Sequence, residues 1–301
     1  MLWEDYDKLL ALPPSAFPHG ISLHTTKNTP GYSAMLVPVV LDHGSAHLSV
    51  TSPVVDTAIH CCEHAITAYG KLQYAPAYYG ISKMSSTWLE HFGITSSGEI
   101  NSSIDADDYV GRASSRDFRA ELGLEDRFVI AFTGRLIPEK GIDAIIEASS
   151  DPRLQEREVV FLLVGDGPLI SKAKEAEGDY LHALGRLDST DVASLLLQSD
   201  ALCLPTRSEG FSTTPLEAAA CGCPAIVTNV GGARELIPTG ECGTIIPDMS
   251  ADSIIEAVAA LTDNRALLER QGTNCARWVR ETCSWSTTAD ALEEAWRKAD
   301  L

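Results

Sequence analysis

Basic residues are scarce in this chain of 301 residues: 23 Lys and Arg stand against 42 Asp and Glu, a formal charge of −19. No basic stripe exists to neutralise phosphates, so nucleic acid is excluded as the main partner and adhesion to an acidic bilayer is disfavoured. Long apolar runs are missing as well. None is long enough to span a bilayer, and the opening Met1-Leu-Trp-Glu-Asp-Tyr-Asp7 lacks the basic start of a secretory leader. Eight cysteines form no Cys-x-x-Cys pair, and several sit in apolar runs. That pattern predicts reduced, buried thiols in a cytoplasmic protein rather than a disulfide framework. There is no Gly-x-Ser-x-Gly elbow for a nucleophilic serine. His60-Cys-Cys-Glu-His64 puts two histidines on one helix face but offers no third ligand, so it reads as a packed helix and no metal is expected. Internal repeats and low-complexity segments are also absent.

The composition is 45% hydrophobic and 22% charged, which places the chain among soluble globular proteins, and its length suffices for two domains. From about residue 127 a regular alternation sets in. Short β-rich runs fall at 128–133, 159–164, 180–184, 201–204, 225–228 and 244–246. Helical patterns fill the gaps at 142–148, 169–177, 191–198, 215–221 and 233–236. Alternation of this kind predicts a parallel sheet covered on both faces, one doubly wound α/β domain. Three helical segments close the chain, at 251–261, 265–282 and 287–299. The first 110 residues are less regular. A strand candidate at 35–41, a strand end at 79–82 and a helix at 84–92 suggest an incomplete N-terminal Rossmann-like domain.

The densest signal is Glu209-Gly-Phe-Ser-Thr-Thr-Pro-Leu-Glu217, which follows the run Ala201–Leu204. A strand, a polar turn and a helix start form an anion-binding geometry, because the first N–H groups of a helix lack partners and the dipole favours negative charge. Thr214 reads as an N-cap with Pro215 at the first helical position, which puts Glu217 where it can close a capping box or accept from ligand hydroxyls. Glu209 lies beyond a strand's carboxyl end, where open α/β sheets bind ligands. The two acids suggest a polyhydroxylated ligand with a phosphate between them.

Further candidates sit at other strand ends. Gly134-Arg135…Lys140-Gly141 follows the first run and offers a bidentate guanidinium and a point charge to a phosphate. Gly165-Asp-Gly167-Pro168 resembles part of a dinucleotide fingerprint, though a tight turn also explains it. Gly185-Arg186-Leu187 could turn its backbone toward a base. Gly231-Gly232 could form a second anion nest or a plain turn.

Together these segments resemble the retaining glycosyltransferases of family 4, the glycogen-synthase-like group with the GT-B fold. The likeness covers residues 80–300 or so. It rests on Gly134-Arg135-Leu…Lys140-Gly141, Val164-Gly165-Asp-Gly167-Pro168, Glu209…Glu217-Ala, Gly222-Cys-Pro224-Ala-Ile-Val and Gly231-Gly232-x-x-Glu235, in that order. Ser284-Trp285 resembles the start of the final helix that crosses back to the N-terminal domain. The usual Pro-Asn-Gly before Ile104-Asp105 is replaced by Asn101-Ser102-Ser103, and the family's opening glycine-rich strand and loop are not found.

The resemblance implies an N-terminal acceptor-side part at 1–118, a donor domain at 119–284 and a crossing helix at 285–301. It implies that Arg135 and Lys140 hold the donor diphosphate and stabilise the leaving group. Glu209 would face the donor sugar and Glu217 the ribose. Gly134, Gly210, Phe211, Ser212 and Thr213 would line sugar and phosphate, Leu187 would meet the base, and His43 would stand near the acceptor. The reaction would be transfer from a UDP- or GDP-sugar to a glycan or lipid-linked acceptor with retention, without a cofactor, in polysaccharide or glycoconjugate synthesis. Two alternatives stay open. One is a truncated or degenerate relative that binds nucleotide sugar without efficient transfer. The other is a non-catalytic subunit whose N-terminal sheet edge is covered by a protein partner or touches a membrane surface.

Overall fold

The computed structural model describes residues 79–91 and 95–298. His43, the strand candidate at 35–41 and the His60–His64 segment lie outside them. The described residues divide into two compact units, one formed by 79–102, 208–211 and 288–298, the other by 103–207 and 212–287.

In the first unit, α1 (Lys83–His91) begins one residue earlier than the sequence pattern implies. Ser82 Oγ accepts from the Ser85 N–H at 3.2 Å and so satisfies one of the open donors of the first turn. Gly80 makes a parallel bridge to Glu99, and Asn101 Nδ2 donates to the Ile81 carbonyl at 2.9 Å.

The second unit is the doubly wound domain. It opens with α2 (Ala106–Gly111) and α3 (Phe118–Leu122), neither of which the periodicity predicts. Both are single short turns, too brief for a 3.6-residue repeat to register, and each is started by an aspartate. Asp105 accepts from the Asp108 N–H and Asp117 from the Ala120 N–H, both at 3.0 Å. Then come β1 (Phe128–Thr133), a 3-10 turn (Pro138–Lys140), α4 (Ile142–Ser149), α5 (Pro152–Gln155), β2 (Val159–Val164), α6 (Ile170–Glu175), β3 (Leu181–Gly185), α7 (Ser189–Leu197), β4 (Ala201–Leu204), α8 (Thr214–Ala220), β5 (Ala225–Thr228), α9 (Ala233–Leu236), β6 (Gly243–Ile246), α10 (Ala251–Asp263) and α11 (Arg265–Thr282). The last helix, α12, spans Trp285–Lys298.

All six strands are parallel, in the order β3-β2-β1-β4-β5-β6. Every residue of β1, β2, β4 and β5 is buried, as a sheet covered on both faces requires. The largest fully buried side chains include Phe128, Phe132, Phe161 and Ile130 on β1 and β2, so the bulkiest part of the core sits on this neighbouring pair of strands. Boundaries move where a cap decides them. α7 begins at Ser189, before the predicted Asp191, because Asp188 Oδ1 accepts from the N–H groups of Thr190 and Asp191 at 3.0 and 2.9 Å.

The strand order reverses between β1 and β4. At such a switch point the loops leaving the two strands diverge and open a crevice at their carboxyl ends. Here the crevice floor is held tightly. Gly134 N–H donates to the Val164 carbonyl at 3.0 Å and Gly165 N–H to the Gly185 carbonyl at 2.8 Å, which extends the sheet one residue past the strands. Gly165 has φ +142°, and a Cβ on it would collide with the Gly134 carbonyl oxygen, so only glycine fits this turn.

Candidate functional site

A cavity of about 550 Å³ opens at this switch point, within the second unit. That size suits a nucleotide-sized ligand. Its walls come from five places. β1 and its loop contribute Thr133, Gly134 and Arg135; β2 and its loop contribute Val164, Gly165 and Asp166; β3 and α7 contribute Arg186, Leu187, Ser189 and Val192; α8 contributes Thr214 and Glu217, with Tyr109 reaching in from α2. Of the sequence candidates, Gly134, Arg135, Leu187 and Glu217 are therefore brought together.

Lys140 is not part of that wall, but its charge is felt beside Arg135. It closes the 3-10 turn, where its N–H donates to the Ile137 carbonyl at 3.0 Å and Gly141 takes the left-handed conformation that stops the turn. A Cβ on Gly141 would strike the Pro205 carbonyl, so the turn packs directly on the chain leaving β4. Thr206 Oγ1 and the Arg207 N–H both donate to the Glu139 carbonyl, at 3.1 and 2.8 Å. The loops on either side of the switch point are thus clasped together, and Lys140 is left 8% exposed. Burial, and after it the neighbouring Arg135 charge, brings the Lys140 ammonium down to a pKa of about 8, with Glu139 opposing the shift.

α8 departs from the sequence reading. Thr213, not Thr214, takes the N-cap position, and it makes no side-chain cap. The helix starts at Thr214, and the capping box between Thr214 and Glu217 does not form, because Thr213 stays in helical backbone geometry and the turn closes through its carbonyl, which accepts from the Glu217 N–H at 2.9 Å. Glu217 instead presents its carboxyl to the cavity wall. Burial pushes its pKa up, and the Tyr109 hydroxyl pulls the other way. Tyr109 is 8% exposed; burial first, then the Glu217 and Cys221 charges, drive its own pKa upward. Its Oη sits near enough to shift the carboxyl yet closes no hydrogen bond of ordinary geometry among the described residues.

Other candidates fall elsewhere. Glu209, Gly210 and Phe211 belong to the first unit, and Phe211 is buried there. Ser212 is half-buried and Thr213 exposed, and neither lines the cavity. Gly165-Asp-Gly167 is the expected tight turn, and it also forms cavity wall. Gly231-Gly232 is a turn into α9 and contributes nothing to the cavity. Among the described residues no group of three or more His, Cys, Asp or Glu could hold a metal ion, and no helix is long and apolar enough to cross a membrane. Asp166 and Arg186 reach the wall from the glycine motifs after β2 and β3, whereas Tyr109, Ser189 and Val192 are wall residues that no sequence motif singles out. The Asp105 cap was the available signal for Tyr109, and the Asp188 cap for Ser189.

A parallel six-stranded sheet in this order, with a cavity at its switch point, defines a Rossmann-like domain, and the solved structures it superposes on are GT-B glycosyltransferases. Residues 114–278 match the model of glycosyl transferases group 1, and the chain belongs to that family. It is 29% identical over 202 residues to the alpha-D-kanosaminyltransferase of Streptomyces kanamyceticus, covering 65% of this chain and 52% of that protein. It is 28% identical over 214 residues to the D-inositol 3-phosphate glycosyltransferase of Kribbella flavida, covering 66% and 50%. The chain thus spans about half the length of these relatives. Among solved structures, Anabaena HepE in complex with UDP superposes with a TM-score of 0.67 at 20% identity, covering 78% of this chain and 67% of that one. The C-terminal domain of a group 1 glycosyl transferase of Francisella tularensis superposes with a TM-score of 0.51 at 21% identity, covering 60% of this chain and 99% of that domain.

Proposed function

We propose that residues 119–284 form the donor domain of a retaining glycosyltransferase. The cavity would take a UDP- or GDP-sugar, and the sugar would pass to a glycan or lipid-linked acceptor. The observation that carries this reading is the convergence of Arg135, Glu217 and the glycine turns of β1 and β2 on one cavity at the switch point. Family membership supports it. So do the GDP-mannose-dependent mannosyltransferases among the relatives and the UDP-glucose complex of Anabaena HepE, which bear on the two bases considered.

The roles follow from the chemistry of the groups. The β- and α-phosphates need cations and backbone donors. Arg135 supplies a planar fork and Lys140 a point charge whose buried position strengthens its field. In the transition state the departing diphosphate gains charge, so these two cations would stabilise it more than the ground state. Glu217 would accept from the ribose hydroxyls. Glu209, Gly210, Phe211, Ser212 and Thr213 would attend the sugar and phosphate, Leu187 the base, and His43 the acceptor. The process would be cytoplasmic polysaccharide or glycoconjugate assembly.

Calorimetry with UDP, GDP and ADP, using Lys140→Ala as control, tests the donor site. Selective binding of one nucleotide that the substitution weakens by about 10- to 100-fold is the expected result; no binding of any of them overturns the reading. Proton NMR of the product's anomeric signal then reports retention or inversion.

A further inference from the structure

Tyr109 carries a hydroxyl that neither the fold nor the proposed donor chemistry accounts for. The ring is nine-tenths buried in the cavity wall, where a phenylalanine would fill the same volume. A buried hydroxyl without a partner is costly, and in a fold this well satisfied it calls for an explanation. Besides Tyr109, one other buried polar side-chain atom among the described residues lacks a partner, Gln271 Oε1, and Gln271 is not part of the cavity wall.

Resting on the donor-site reading above, we infer that Tyr109 is a positioning residue for Glu217. Its phenol donates to the inner oxygen of the carboxylate, which leaves the outer oxygen for a ligand hydroxyl. The placement favours this. α2 packs against α8, and Tyr109 and Glu217 stand together in the cavity wall. The Tyr109 hydroxyl is closed off from solvent, so it is the carboxyl of Glu217 and not water that it can serve. The contact then also keeps the carboxyl ionised, which is the form that accepts from a hydroxyl.

The other charged and titratable groups around Glu217 do not take this role. Arg112 on α2 is paired with Asp108 at 2.6 Å. Cys221, just past the end of α8, is a half-buried thiol with its pKa pushed up to about 12, and carries no charge at neutral pH. Arg280 on α11 donates to the Ala220 carbonyl at 3.3 Å and to Asp107 at 2.8 Å. Asp191 on α7 is held by Arg116 at 2.8 Å. Arg135 and Arg186 belong to the walls formed by β1 and β3.

The test uses the full chain and two readouts. First, the Glu217 carboxyl is titrated by carbon-13 NMR in the free protein, wild type and Tyr109→Phe. Second, UDP affinity is measured from acid to neutral pH in wild type, Tyr109→Phe, Glu217→Gln and the double variant. Tyr109→Phe is expected to raise the Glu217 titration, to weaken UDP by roughly 5- to 30-fold at neutral pH, and to carry the acid limb of the affinity profile upward with it. The double variant should lose no more than Glu217→Gln alone. An unmoved Glu217 titration together with affinity within about twofold of wild type overturns the inference. A wild-type chain that binds neither UDP nor GDP defeats the donor-site reading instead, while the titration of the free protein still decides the Tyr109 contact.

Discussion

At the residue scale, burial has moved the titration of two groups in opposite senses: Glu217 in the cavity wall and Lys140 on the 3-10 turn near Arg135. Lys140 is a cation below about pH 8 and loses its charge above. Glu217 is held above the usual carboxylate range and must ionise to accept from hydroxyls. A diphosphate ligand with ribose hydroxyls needs Lys140 charged and Glu217 ionised. UDP affinity should therefore fall on the acid side as Glu217 protonates and on the alkaline side as pH passes about 8. Calorimetry across the pH range gives the profile directly. Lys140→Ala should remove the alkaline limb and weaken UDP by about 10- to 100-fold.

Glu217 also predicts a conflict between stability and binding. A carboxyl raised by burial favours the protonated folded state, so its contribution is lost as pH rises through its titration. Glu217→Gln keeps the shape and removes the charge. It should raise the melting temperature at neutral pH by about 2 to 4 °C, with the gain vanishing under acid conditions, while UDP binding declines. A lower melting temperature at neutral pH would show that the carboxylate contributes to the fold. These residues are unevenly legible in the sequence. Arg135, Lys140 and Glu217 stand out because each interrupts an apolar pattern at a strand or helix end. Tyr109 does not, since its neighbours Asp107, Asp108 and Val110 give no sign of what α2 packs against.

At the scale of elements, the glycine turns determine how near the strand ends lie. Gly165 sits where a Cβ would strike the Gly134 carbonyl. Gly165→Ala should destabilise the chain by at least about 2 kcal/mol in urea unfolding and abolish UDP binding, because strands β1 and β2 must part at the cavity floor. Gly178→Ala is the control. Nothing lies within 4 Å of a Cβ there, and a change of no more than about 0.5 kcal/mol is expected. All six strands of the second unit were readable from their apolar runs, four of them to the residue. Continuous burial on both faces leaves little ambiguity when the flanking helices are amphipathic. The short α2 and α3 were not readable, because one turn of helix carries no period and only its cap announces it.

At the scale of the molecule, the described cysteines provide a reporter. Cys203 on β4 and Cys223 beyond α8 are buried, and burial pushes both thiols up in pKa, so they react only when the second unit opens. UDP at about one hundred times its Kd should slow their labelling by about 100-fold, through stabilisation of the closed form. Labelling unaffected by UDP would mean that the nucleotide does not bind the folded second unit.

The division of the chain also belongs to this scale. Residues 208–211 and 288–298 group with 79–102, although they are remote in sequence. Apolar periodicity cannot reveal such returns, because they are made by contacts between segments and not by the pattern within one.

The sequence by itself determined the parallel sheet, the positions of its strands, and the acid, glycine and cation motifs at their carboxyl ends. These are local properties: a run of buried residues is a strand wherever it is placed, and a glycine before a helix is a turn. Tertiary structure alone decided which loops face one another. The reversal of strand order between β1 and β4 opened the crevice. The packing of α2 on α8 then brought Tyr109 to Glu217, and the clasp from Thr206 and Arg207 to Glu139 buried Lys140. A charge shift of that kind depends on what surrounds a group in space, and those neighbours come from segments far apart in the chain.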